Sequence, residues 1–391
     1  MSAQSSREGR NRKLSILKQS KRPKSMRRIR GRWITAVLLL ITILWVFHYD
    51  LDDLSLYLRK RNSPAGNEVL TVQVPFDLSG NAAYSASRDL VILATQTKWV
   101  GFRSDGSQKL DVRVNLANPA LASRGRYTLL YDRGGTQALL SDGRTVLTQV
   151  EAGNTILTGA VCMQGGFALV TKSKDVLQSV EVYTRTGRLR YRWDSASTYI
   201  TAVSMSENGL QLAVGGFTVS EAELSSVVRI VDVRNEQAKT EMLVQDELVM
   251  DVYFGDTYVY AITDRALHRF DLRRSERTAI EFGDEQLRYF ALNEHGATMV
   301  LGDRLLSGSS AVVSYSADGQ IAMSVKVDGD VRALSANGER VVLLQNRNVN
   351  VYLDSGELHE AYSLPSVLGV VTLQQGQAAC ICTDSISFLP K

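Results

Sequence analysis

An aromatic residue followed four positions later by glycine recurs at long intervals in this chain: Phe102 and Gly106, Tyr183 and Gly187, Tyr315 and Gly319, Tyr352 and Gly356. Degenerate copies fill the gaps. Leu139 to Gly143 keeps the glycine without the aromatic, Phe270 keeps the aromatic without the glycine, and Val231 marks an apolar run in the same place. The series 102, 139, 183, 231, 270, 315, 352 advances in steps of 37 to 48 residues. A repeat of this length requires a fold made of stacked units, because one unit cannot bury its own faces.

The runs between these landmarks identify the unit. Short apolar or β-branched stretches alternate with Gly, Asn, Asp and Ser clusters after Leu70, and no stretch sustains a helical period. Asn208-Gly209 and Asn337-Gly338 predict type I′ hairpin turns, with both central residues at positive φ. The strands that follow, Leu210 to Val214, Thr298 to Leu301 and Val341 to Leu344, are apolar enough to lie inside. About four short strands per period of about forty residues is a β-propeller blade. A β-helix has a shorter period, and an immunoglobulin-like module needs about 100 residues. The chain ends with three runs, Val367 to Leu373, Ala378 to Thr383 and Ser385 to Leu389, which leave a blade one strand short. Leu70 to Phe76 can supply the fourth, so the expected fold is an all-β propeller of eight blades, or seven if one weak unit is not a blade.

The N-terminal region reads differently. Residues 1–32 carry twelve Lys or Arg against the single acid Glu8, and the remaining 33 basic and 40 acidic residues make the rest of the chain mildly acidic. Trp33 to Tyr49 is uncharged and apolar, about 26 Å long as a helix, with Trp33 at one end and Trp45 and Tyr49 at the other for the interfacial belts. The expected organisation is a basic cytoplasmic tail over 1–32, a transmembrane signal anchor over 33–49, a stalk over 50–68 and a propeller over 69–391. The positive-inside rule puts the tail in the cytoplasm and the propeller on the far side of the plasma membrane, as a single-pass protein. A cleaved signal peptide fits less well, because His48-Tyr49-Asp50-Leu51-Asp52-Asp53 offers no small-residue cleavage site and the basic region is long. The tail lacks interleaved aromatics for base stacking, so anionic lipid headgroups suit it better than nucleic acid.

No reactive constellation is legible, and the sequence names no catalytic, cofactor-binding or metal-ligating residue. His48, His268, His295 and His359 are isolated, with no pair at metal-ligand spacing. A Gly-x-Ser-x-Gly elbow and a phosphate-binding Gly-rich loop are absent. Asp328-Gly329-Asp330 lacks the further oxygen ligands of a calcium loop and reads as a turn between blades. Cys162, Cys380 and Cys382 are too few for a disulfide framework; the last two, two apart in an apolar run, read as buried thiols on one strand face. Thr218 to Ser226, with Glu221 and Glu223, lengthens one unit and reads as a protruding hairpin tip. The recurrent aromatics are expected to pack between blades. Trp99 and Trp193 alone are too few for the docking repeats of quinoprotein propellers.

With these residues assembled, the chain resembles the bacterial family called domain of unknown function 5711, whose members combine a basic tail, one signal anchor and a propeller-like ectodomain. The resemblance spans nearly the whole chain and rests on that architecture and on blade motifs such as Ala333 to Gly338 with Val349-Asn-Val-Tyr-Leu-Asp-Ser-Gly356. These motifs also resemble degenerate WD40-type or quinoprotein-like repeats, although the Gly-His and Trp-Asp dipeptides that define WD40 blades are read as absent. Membership implies a Gram-positive cell surface and carries over no catalytic residue. The expected function is a non-enzymatic binding or scaffolding module for a cell-envelope protein or polymer. The alternative is an envelope glycosidase or lyase with acidic residues gathered across blades, for which two carboxylates about 5 to 9.5 Å apart in the central pocket are the required sign.

Overall fold

A computed structural model describes residues 72–78, 80–220, 223–235, 238–303, 308–346 and 348–390. The tail, anchor and stalk, together with residues 70 and 71, lie outside the described residues. The described strands form eight four-stranded antiparallel sheets, seven of them made of consecutive strands. Blades 1 to 7 span 82–113, 119–151, 156–195, 199–245, 249–281, 285–328 and 331–363. Blade 8 is composite: Val367–Thr372, Ala378–Cys382 and Ser385–Phe388 are completed by Val72–Pro75, which pairs antiparallel with Ser385–Phe388. Each blade's first strand touches the first strand of the next, and blade 8 returns to blade 1, so the ring closes. Eight blades, not seven, is the count.

All seven landmarks lie on third strands, which explains both halves of the motif. The aromatic ends the run that packs on the preceding blade. Phe102 joins Val74, Ile386 and Phe388, Phe270 joins Ala213 and Val228, and Tyr352 joins Val300 and Val312. The glycine closes the turn to the fourth strand: Gly106 N–H donates to Arg103 O, Gly187 to Thr184, Gly319 to Ser316 and Gly356 to Leu353, all at 2.8 to 3.0 Å. These glycines sit at φ between 79° and 87°, where a Cβ is strained. The spacing of four is therefore the length of strand end plus turn.

Second strands supply most of the fully buried surface. Leu90–Thr95 and Tyr258–Thr263 are buried at every position, because a second strand has a partner on each edge and a blade on each face. Cys380 and Cys382 lie in such a strand and share one face with Ala378, while Ala379 and Ile381 take the other. All three cysteines are buried free thiols, and burial pushes Cys380 up to about 12.

Two expectations need correction. The Asn-Gly turns are not type I′: Gly209 and Gly338 take positive φ, at 66° and 88°, but Asn208 and Asn337 do not. Each asparagine instead caps the turn with its side chain. Asn208 Oδ1 accepts from Leu210 N at 3.0 Å, and Asn337 Oδ1 accepts from Glu339 N and Arg340 N at 3.2 and 3.1 Å. A Trp-Asp pair does occur once, Trp193-Asp194, but on the fourth strand Leu189–Ser195, where Asp194 accepts from Ser179 and Arg192.

Candidate functional site at the two ends of the channel

The ends of the central channel are built from different parts. At one end, the turn end, first strands run into second strands; at the other, the mouth end, each first strand begins.

The turn end is tied from blade to blade. Ser87 Oγ donates to Gly125 O, Phe254 N donates to Ser204 Oγ, Asn293 Nδ2 donates to Ala336 O, and Gln374 N closes the circle onto Arg88 O, at 2.9 to 3.2 Å. Arg124, on the first strand of blade 2, crosses this end. Its Nη2 donates to Phe254 O of blade 5 at 2.6 Å, its Nη1 to Met205 O of blade 4, and its guanidinium carbon lies 4.7 Å from the centre of the Tyr253 ring. Arg124 is only 9% exposed. Around it Arg88, Tyr253, Asn293, Glu294, His295, Asn337 and Gln374 line a cavity of about 200 Å³. Glu294 is the one carboxylate among these described lining residues.

The mouth end carries a device that strand patterns do not reveal. Six of the eight first strands have a bulge at the same place, each leaving one residue without a partner on the second strand: Leu157, Thr201, Met250, Arg288, Arg332 and Leu368. A bulge re-aims a side chain that the sheet would otherwise bury. Met250 and Leu368 are accordingly 44% and 48% exposed at the start of otherwise buried strands. Beside them blade 4 is lengthened, its second and third strands, Gln211–Ser220 and Glu223–Asp232, running ten residues each and pairing throughout. This is the expected hairpin at Thr218 to Ser226; residues 221 and 222 lie outside the described set. Its side chains are unusually apolar for an exposed position: Val219 is 61% exposed, and Tyr199 stacks on Phe217 with ring centres 5.3 Å apart while remaining 43% exposed.

Between the ends lie groups that do not follow the repeat. Tyr84 of blade 1 sets its hydroxyl against Gly369 of blade 8, and burial, with a smaller effect from Tyr289 of blade 6, raises its phenol pKa. On the first strand of blade 5, Asp251 shares a sheet face with Ile262 and Leu267, both fully buried, and its described hydrogen bond is from Val252 N at 2.8 Å. Burial pushes its carboxyl up to about 6.

The histidines do not converge. His295 lines the turn-end cavity, His359 is exposed on a fourth strand, and His48 lies outside the described residues. His268 is buried in blade 5 between Glu247 and Arg277: its Nε2 meets Glu247 Oε2 at 2.7 Å and its Nδ1 meets Arg277 Nη2 at 3.1 Å. An arginine can only donate, so Nδ1 accepts and the neutral ring donates from Nε2. Burial lowers the His268 pKa; for Glu247 burial acts upward, but the Thr263 hydroxyl and His268 outweigh it and lower the pKa. Both shifts act in the same direction. The unfolded chain takes up protons that the folded one resists, so this network's contribution is lost as pH falls through about 6.5 and then through the carboxylate range. His268→Leu is expected to cost about 2 kcal/mol in urea unfolding at pH 7.5, because Glu247 and Arg277 each lose a buried partner. Asp328-Gly329-Asp330 forms the connection between blades 6 and 7, as expected of a turn.

The repeat, the composite blade and the landmark glycines agree with a family-level match: the model of the family of unknown function DUF5711 covers residues 68–385. The chain belongs to this family. Solved structures similar to this DUF5711 protein are also propellers. BamB from Moraxella catarrhalis aligns with 14% identity and a TM-score of 0.53, over 83% of this chain and 98% of that one. The computationally designed Ika8 protein aligns with 13% identity and a TM-score of 0.59, over 84% and 98%. At these identities the likeness is one of fold. No curated protein matches the sequence.

Proposed function

We propose that this DUF5711 protein is a membrane-tethered, extracytoplasmic binding module whose mouth end engages a protein partner. The observation that carries this reading is the exposed apolar group gathered where blades 4 and 5 meet that end: Tyr199, Val219, Leu248 and Met250, at 36 to 61% exposure. Such side chains, on a hairpin longer than its counterparts and at the starts of the first strands beside it, are costly to leave in water and characteristic of a contact surface. The bulge residues Arg288 and Arg332 add positive charge on blades 6 and 7, so the partner segment combines apolar with acidic side chains. The basic run over 1–32 and the apolar span over 33–49 support the tether and its orientation.

The test is crosslinking in intact cells followed by capture of the full-length protein. The triple substitution Tyr199→Ser, Leu248→Ser, Met250→Ser is expected to lower recovery of the crosslinked partner at least about tenfold, the loss of roughly two contact anchors. Its melting temperature should stay within about 2 °C of the parent, since the three side chains are largely exposed. Equal recovery from parent and variant excludes this rim as the contact. Surface labelling of tags at either terminus checks the orientation, the C-terminal tag alone being reached in intact cells.

A further inference from the structure

The cavity at the turn end contains a buried guanidinium whose described hydrogen-bond partners are all neutral. Arg124 is nine-tenths buried, its described partners are two carbonyl oxygens and the face of Tyr253, and its Nε is buried with no hydrogen-bond partner. Carbonyls and a ring face carry only partial negative charge, so the guanidinium is left largely uncompensated in a site of low dielectric. Arginine grips a planar or tetrahedral oxyanion through its N–H groups, and the Nε–H of Arg124 is the one left without a partner. The remaining lining suits such a group. Asn293, Asn337, Thr372 and Gln374 provide polar side chains, and a cavity of about 200 Å³ is larger than a single water needs. Opposing them is Glu294, 39% exposed at its side chain and 3.6 Å from His295.

We infer that this cavity is a binding site for a small oxyanion, a carboxylate or phosphate group, held by Arg124. The anion supplies the missing counter-charge and draws together blades 2, 4 and 5, which Arg124 already spans. The site lies at the opposite end of the channel from the proposed partner surface and does not depend on that reading.

The experiment is calorimetric titration of the full-length protein with citrate and, separately, inorganic phosphate, against chloride at matched ionic strength. Saturable binding near one equivalent is expected with citrate or phosphate and not with chloride. Arg124→Gln should weaken it at least about tenfold, as expected for loss of a charge-assisted pair. Arg124 also braces three blades, so a second variant avoids any dependence on that fold: Glu294→Gln removes the like charge from an exposed side chain and should tighten binding several-fold. Absence of saturable binding in the parent, an unchanged constant in a folded Arg124→Gln, or no tightening in Glu294→Gln each overturns the assignment.

Discussion

Deletion of residues 72–76 from the full-length protein is expected to cost on the order of 5 kcal/mol and to turn a single unfolding transition into a broad one. The segment contributes a single short strand, but that strand comes from the opposite end of the chain and closes the ring. Its register, Val72 with Phe388 through Pro75 with Ser385, leaves the outer edge of the third strand of blade 8 unpaired when it is removed. Phe76 N and Leu78 N extend the tie to Asp384 O and Thr383 O at 3.0 and 3.1 Å. Val74 lies in the cluster with Val91, Phe102, Ile386 and Phe388, and Phe76 meets Phe102 edge to face at 6.2 Å. Burying these two side chains contributes about 1.5 to 3 kcal/mol each, and the exposed edge of Ser385–Phe388 becomes a template for association. Urea unfolding with light scattering checks both consequences. The single change Val74→Asp, which places a charge in the same cluster without altering chain length, should reproduce about 3 kcal/mol of the loss. A deletion variant with the parent's midpoint and no scattering would show that the ring holds without its closing strand.

Asp251→Asn should have a large effect of opposite sign, raising stability at pH 7.5 by about 2 kcal/mol. The folded protein holds this half-buried carboxyl at about 6, above its ordinary value of 3.8, because desolvation beside Ile262 and Leu267, on the same sheet face, disfavours the charged form. A raised carboxylate pKa favours the protonated form. The penalty is absent below about pH 3.8, grows as pH rises towards 6 and is fully present above it, at about 3 kcal/mol. Asparagine is neutral throughout and removes most of that cost, less what is lost from the Val252 N–H bond to the carboxylate. The stability difference between variant and parent should therefore rise from near zero at pH 4 to its full value at pH 7.5. His268 and Glu247 respond to pH in the opposite sense but are common to both proteins, so they cancel in the difference. A flat difference across this range would place Asp251 in contact with water.

The repeat was legible because a blade imposes short-range rules. Phe102, Tyr183, Tyr315 and Tyr352 each precede a glycine whose position is set by one local turn, and the apolar second strands are buried by the same packing in every blade. The closing strand was legible for a related reason: a final unit with three runs must find a fourth, and Leu70 to Phe76 was the run left over. The Asn-Gly turns were placed correctly but given the wrong geometry, since the dipeptide fits both a type I′ turn and a side-chain-capped turn with one positive φ.

The candidate sites were not legible. Nothing adjacent to Arg124 distinguishes it from any other arginine at the end of a strand. Its partners, Met205 O and Phe254 O, lie 81 and 130 residues away and are backbone atoms, which leave no trace in side-chain identity. The bulges at Met250, Arg332 and Leu368 are equally hidden, because one extra residue in a first strand changes its register without changing its composition. Sequence by itself determined the unit and the way the ring closes, with seven or eight blades left open, since these follow from local period and from what one blade must bury. Only the tertiary structure decided which side chains face the channel and its ends, because eight similar units become different from one another only where distant strands meet.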